Sequence, residues 1–133
     1  MIGETDPNTL LARMQPELKE YPYVICTLSQ ELYAALPFDP LLKFHEREGL
    51  TVILSQAQAE SHGLPFEGMW AWIELRVHSS LSAVGFIAAI SGWLAQHGIS
   101  LNLVSAYYHD HLFVPWDSRW RAMELLEELS ASN

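Results

Sequence analysis

Between Glu74 and Pro115 the chain reads ELRVHSSLSAVGFIAAISGWLAQHGISLNLVSAYYHDHLFVP. Apolar positions alternate, then run at helical spacing, then alternate again, which predicts strand, tight loop, helix, strand, turn and strand. The helix is expected between Ser80 and Gly98, with Ser79 or Ser80 as its N-cap and Gly98 as a left-handed C-cap. Leu81, Val84, Ile87, Ile90, Trp93 and Leu94 would cover a sheet. Gly85, Ala88, Ala89, Gly92 and Ala95 leave a smooth opposite face, so the helix should be covered on two sides. Before it, Trp70–Val77 alternates as a strand. After it, Ile99–Tyr107 forms a strand, Tyr108-His109-Asp110 a turn and His111–Val114 the return strand. A final helix is expected from Asp117 or Ser118, with Trp120, Met123, Leu126 and Leu129 inward. Its Glu124, Glu127 and Glu128 lie near the C-terminus, where the helix dipole disfavours negative charge.

The first half has a similar order. Asp6 and Pro7 predict a short helix from about 7 to 14, Tyr23–Leu28 a strand and Gln30–Leu36 a helical segment ended by Pro37 and Pro40. Residues 41–47 and Leu50–Ser55 form a hairpin about Glu48-Gly49, and Gln56–His62 a two-turn helix stopped by Gly63. Each half thus holds a strand, a helical segment, a hairpin and a closing helix. Two fused βαββα units follow, residues 1–66 and 67–133, with the boundary in Gly63–Gly68. The class is α+β, with antiparallel sheets backed by helices.

Composition narrows the function. The 133 residues are half hydrophobic, enough for a sizeable core. Sixteen acidic and seven basic residues give a formal net charge of −9, so no basic patch is expected to neutralise a nucleic-acid backbone or an anionic membrane. The single cysteine, Cys26, excludes an internal disulfide and reads as a buried strand thiol. The acidic start, Met1–Asp6, lacks the form of a signal peptide, and the apolar run Leu81–Ala95 is too short to span a bilayer. A cytoplasmic location is expected.

Candidate chemistry concentrates at one loop. If His78-Ser79-Ser80 opens directly into the helix, unpaired backbone N–H groups and the positive end of the dipole converge on a volume suited to a carboxylate or phosphate. The other account is that Ser79 and Ser80 only cap the helix and that Asn102 and Asp110 are turn residues. His109, His111 and His78 invite a metal site, but a solvated hairpin turn is the simpler account, and neither a metal nor a cofactor is expected. No G-x-S-x-G, HExxH or C-x-x-C motif is present, so no enzyme is expected. The tryptophans read mainly as core, although Trp70, Trp72 and Trp116 lie near strand ends, where they would also suit a pocket.

Over VHSSLSAVGFIAAISGWLAQHGISLNLVSAYYHDHLFVP the chain resembles the ACT domain family, specifically small stand-alone proteins with two tandem units. Leu94-Ala95-Gln96-His97-Gly98-Ile99-Ser100-Leu101-Asn102 carries much of the likeness. The first half is similar through Phe44-x-x-x-Glu48-Gly49-Leu50-Thr51. The resemblance implies a ferredoxin-like βαββαβ fold used as a regulatory module that binds small ligands, most often amino acids, between paired units. It also implies a homodimer. Ligand contacts would fall on Ser79, Ser80, Leu81, Val84 and Gly85, then on Ile99, Ser100 and Asn102, with Asp110 at the acidic turn. Backbone N–H groups of Ser79–Ser82 would hold the carboxylate and Asp110 the ammonium, with Asn102 bridging them. The different reading is a pure interaction module using the Gly85–Gly92 surface.

Overall fold

The computed structural model describes residues 3–133, so Met1 and Ile2 of the acidic start lie outside the described residues. The elements follow in the order α1 (Pro7–Ala12), β1 (Pro16–Leu28), α2 (Gln30–Ala34), β2 (Leu42–His45), β3 (Leu50–Ser55), α3 (Gln56–Ser61), β4 (Trp70–Leu75), α4 (Phe86–Gln96), β5 (Asn102–Ser105), β6 (Asp110–Pro115) and α5 (Arg119–Ala131), with one turn of 3-10 helix at Trp116–Ser118. The fold is α+β and ferredoxin-like, with the βαββα order present twice.

The chain forms two compact units, one made of residues up to Glu20 together with Ala71–Asn133, the other of Tyr21–Trp70. Strand β1 contributes to both. In the first unit the strand neighbours run β1-β4-β6-β5, and in the second β2-β3-β1. The hairpins are antiparallel, with Ser105 opposite Asp110 in β5–β6 and His45 opposite Leu50 in β2–β3.

The first unit holds the larger core. Ala71, Ile73 and Leu75 point from β4 towards helices, where Phe86, Ile90 and Leu94 of α4 meet Leu125 and Leu126 of α5 and Leu10 and Met14 from the N-terminal segment. Each fully buried large side chain contributes roughly 1.5–3 kcal/mol through removal of apolar surface from water. The Trp93 indole N–H donates to the Leu125 carbonyl at 2.7 Å, tying α4 to α5. The second unit closes on Val24, Cys26, Leu28, Val52, Leu54 and Ala59. Cys26 is buried, and burial pushes its thiol pKa up, as its strand position predicts.

Several boundaries differ from the sequence pattern. Helix α4 begins at Phe86, six residues after the expected start, and its N-cap is Gly85 (φ 98°) instead of Ser79 or Ser80. The loop keeps its own hydrogen bonds: Ser80 Oγ accepts from the Ser82 N–H (3.1 Å) and the Ser80 carbonyl from the Ala83 N–H (3.0 Å). A serine that bonds the backbone locally competes with helix formation, and Val84 adds little helical preference. Strand β1 starts at Pro16, where a missing N–H is tolerated, and its pairing with β3 begins at Tyr23, just past Pro22. Strand β5 is shorter than expected, because Ile99 belongs to the helix stop, where its N–H returns to the Leu94 carbonyl at 3.0 Å, and its side chain to the core. The turn is Ala106–His109, closed by Ala106 N–H to the His109 carbonyl, which puts Asp110 on β6. Trp120 is 64 % exposed; Ala122, Leu125 and Leu126 are the residues α5 buries. The glutamates near the end of α5 find partial compensation in Arg121, 3.6 Å from Glu124 and 4.0 Å from Glu128. These exposed contacts are worth little.

Candidate functional site

The ten residues Arg76–Gly85 between β4 and α4 are held from below by the N-terminal segment. Glu4 forms a parallel bridge with Ser79, its N–H donating to the His78 carbonyl (3.0 Å) and its carbonyl accepting from the Ser80 N–H (2.9 Å). Gly3 lies so close that a Cβ there would stand 2.6 Å from both Ser79 C and Ser80 N, closer than real side chains approach. The Ser80 N–H, expected to serve a ligand, is therefore engaged by the chain itself.

The helix donors lie further along. The first N–H groups of α4, on Phe86, Ile87 and Ala88, have no partner within the helix, and Gly85 offers no side chain to cap them. They open on a cavity of about 120 Å³ whose lining includes Ser79, Ser80, Gly85, Phe86, Ser105 and Asp110. Across it Ser79 Oγ donates to Asp110 Oδ2 at 2.8 Å, with Ser79 7 % and Asp110 4 % exposed. They are the buried polar residues among those described. A carboxylate has about four acceptor sites, and the Ser79 hydroxyl is the only side-chain donor bonded to Asp110 among the described residues. The cavity thus presents N–H donors with a positive dipole end on one wall and a buried acid on another, a polarity that matches a zwitterion.

Of the sequence-predicted residues, Ser79, Ser80, Leu81, Gly85 and Asp110 line this cavity. Val84 is in the same loop but 81 % exposed. Ile99 is buried in the core, and Ser100 is exposed beyond it. Asn102 is exposed opposite Phe113, three residue pairs from the Ser105–Asp110 pair and so about 10 Å along the strand. It does not bridge a ligand's two charges in this geometry. Ser105, Phe86 and Ala88 line the cavity and were missed; Ser105 was within reach of sequence reasoning, because it faces Asp110 across the hairpin.

A second, larger groove of about 300 Å³ adjoins the first, sharing Ser79, Ser80 and Leu81 and adding Gly3, His78, Ser82 and Tyr107. The three histidines considered for metal do not converge: among the described residues no group of three His, Cys, Asp or Glu is placed to hold a metal ion. His78 packs against Tyr108 (ring centroids 5.3 Å), while His111 accepts the Trp72 indole N–H at Nδ1 (3.0 Å).

Models of the ACT domain match residues 2–71 and 71–128. The chain belongs to the ACT domain family. Among solved structures, it is 41 % identical to a Vibrio cholerae protein of unknown function described as a possible transport protein, over 92 % of this chain and 94 % of that one, with a TM-score of 0.83. An Agrobacterium tumefaciens protein is 17 % identical over 86 % and 87 % of the two chains (TM-score 0.70). The ligand-free regulatory subunit of aspartate kinase from Thermus thermophilus is 10 % identical over 86 % and 95 % (TM-score 0.63). The last two show the ACT fold alone. No curated protein matches the chain. Among the described residues no helix is long and apolar enough to cross a membrane.

Proposed function

We propose that this ACT protein is a cytoplasmic, homodimeric sensor that binds an amino acid in the cavity between the Arg76–Gly85 loop, the start of α4 and Asp110. Family membership supports the coarser statement, a regulatory, ligand-sensing module rather than a catalyst. The observation that carries the finer one is the buried Ser79–Asp110 pair facing uncapped helix N–H groups across the 120 Å³ cavity. A ligand carboxylate takes the N–H groups of Phe86–Ala88, and its ammonium takes Asp110, for which Ser79 fixes the carboxylate. Ser80 shapes the loop through its turn and Gly85 lets the backbone reach the helix. Leu81 and Val84 stand at the rim, while Ile99, Ser100 and Asn102 act from outside the cavity, as support or as contacts for a second subunit. The repeat boundary, with residues 1–66 and 67–133 as its two halves, falls in the connection between α3 and β4. A ligand regulates only by binding one arrangement of the protein more tightly than another.

Calorimetric titration with the twenty amino acids tests this on the intact protein and on Asp110→Asn, which keeps the shape and removes the charge. A hydrogen bond to a charged group contributes roughly 1.5–3 kcal/mol, so the variant should bind about ten- to a hundredfold more weakly. Equal affinity in both proteins would sink the reading. The exposed Leu81 and Val84, at 66 % and 81 %, favour a second reading, an assembly module without a ligand. It predicts that none of the twenty binds.

A further inference from the structure

The two adjoining cavities differ in what they are built from. The 120 Å³ cavity holds the charged machinery, yet it is smaller than the roughly 300–1,000 Å³ of ordinary ligand pockets and has space for a head group only. The 300 Å³ groove that continues from it past Ser79, Ser80 and Leu81 reaches that range. Among the described residues its lining contains no Asp, Glu, Lys or Arg. Two aromatic residues, His78 and Tyr107, line it beside Gly3, Leu81 and serines, and Tyr108 packs against both from outside the lining, with centroids 5.3 Å from His78 and 4.9 Å from Tyr107. The third ring braces the other two, although Tyr107 is itself 58 % exposed. A charged ligand side chain would enter this groove with no carboxylate, lysine or arginine among the described lining residues to meet it, whereas a planar apolar one gains contact with the His78 and Tyr107 rings.

Resting on the amino-acid reading above, we infer that the ligand is an aromatic amino acid, with its ring seated in the groove between His78 and Tyr107 and its zwitterionic head in the cavity at Asp110. His78 and Tyr107 are then specificity-determining residues, distinct from the head-group residues Ser79 and Asp110. Aromatic pairing adds to simple burial by an amount that amounts to about three- to tenfold in affinity.

Calorimetric titration of phenylalanine, tyrosine, tryptophan, leucine, glutamate and lysine into the intact protein, Tyr107→Leu and Asp110→Asn separates the possibilities. The intact protein should bind at least one aromatic amino acid about three- to tenfold more tightly than leucine. Tyr107→Leu, which keeps apolar bulk at an exposed position, should bring that ratio close to one while leucine still binds. Asp110→Asn should weaken all ligands together. Tighter binding of leucine, glutamate or lysine than of every aromatic, or an unchanged ratio in Tyr107→Leu, overturns the aromatic assignment and leaves the amino-acid sensor standing. Binding by none of the six to intact protein whose circular dichroism is that of a folded chain overturns the aromatic assignment, and binding by none of the twenty overturns both.

Discussion

Strands β3 and β6 occupy the same place in their two units and bury their residues in the same order, but the first position of β3 is Leu50 and that of β6 is Asp110. The hairpins are equivalent in detail. Each is closed by a turn in which an N–H meets a carbonyl three residues on at 3.0 Å, Glu46 to Gly49 in one and Ala106 to His109 in the other. His45 then faces Leu50 as Ser105 faces Asp110. Leu50 is 3 % exposed and Asp110 4 %. One slot is therefore filled by a hydrocarbon in the first case and an acid in the second, and the surroundings account for the difference. After β1 the chain turns at once into α2, capped by Ser29, whereas after β4 ten residues intervene and supply Ser79 and the cavity. The second unit uses the slot for core; the first places a buried polar pair there, beside a cavity.

The largest test of that contrast is an exchange. Leu50→Asp would bury a carboxylate with no equivalent of Ser79, and the lost apolar burial and unpaired charge should cost about 3–5 kcal/mol, lowering Tm by about 10 °C or more. The double change Asp110→Leu with Ser79→Ala removes both polar partners together, which is close to neutral when shape is kept. Its Tm should stay near that of the parent while amino-acid binding is lost. If the two exchanges cost the same, the slots are equivalent and the polar pair has no special place.

The helix starts sharpen the same comparison at smaller cost. In the second unit Ser29 Oγ accepts from the Leu32 N–H, and Ser55 with Gln58 forms a capping box on α3. Helix α4 has only Gly85 at its start. Gly85→Ala meets no clash, with Pro7 at an ordinary contact distance of 3.8 Å, so its expected loss of about 1–2 kcal/mol comes from the left-handed backbone alone. Ser29→Ala should cost about 1 kcal/mol through the lost cap. Thermal unfolding of the two variants measures both. A Gly85→Ala variant as stable as the parent would mean that the loop relaxes, and the cavity with it.

How much of this was legible beforehand depends on the range of the interactions. The α+β class, the repeat, the Asp6 cap on α1, the hairpin at Leu50–Ser55 and the helix stop at Gly98 rest on local patterns and were readable. The family likeness lies across both Ser79 and Asp110, and the structure joins them by a hydrogen bond. The start of α4 was not readable, because an apolar run at helical spacing from Leu81 looks the same whether it is helix or a loop pinned by a distant segment. The residue that pins it is Glu4, through an isolated bridge to Ser79, 75 residues away in sequence. Asn102 was misplaced beside Asp110 for a related reason: only the hairpin register puts it three pairs away. Of the expected α5 stripe, Leu126 is fully buried and Met123 and Leu129 pack against the core, but Trp120 is exposed and Ala122 and Leu125 are buried instead, a rotation that depends on the helix's partners.

The smallest effect follows from the next position of the same strands. His111 of β6 is half-buried and accepts the Trp72 indole N–H at Nδ1, a bond that requires that nitrogen to be unprotonated. Burial lowers its pKa from the ordinary 6.5, more than the nearby carboxylates of Glu74 and Asp110 raise it, while His109 and Lys19 add to the lowering. The unfolded chain then binds the proton more readily than the folded one. Stability from this residue is complete above about pH 6.5 and is lost as pH falls from there through the lower folded pKa. In β3 the corresponding residue is Thr51, which does not titrate and whose hydroxyl donates to Glu46. Urea unfolding of the parent and of His111→Gln between pH 5 and 8 isolates the contribution, because glutamine supplies an acceptor for the indole without a titrating group. The parent should lose more stability than the variant on going from pH 7 to 5. Parallel curves would mean that the imidazole takes up its proton without disturbing the indole contact, and that the pH response of the fold lies elsewhere.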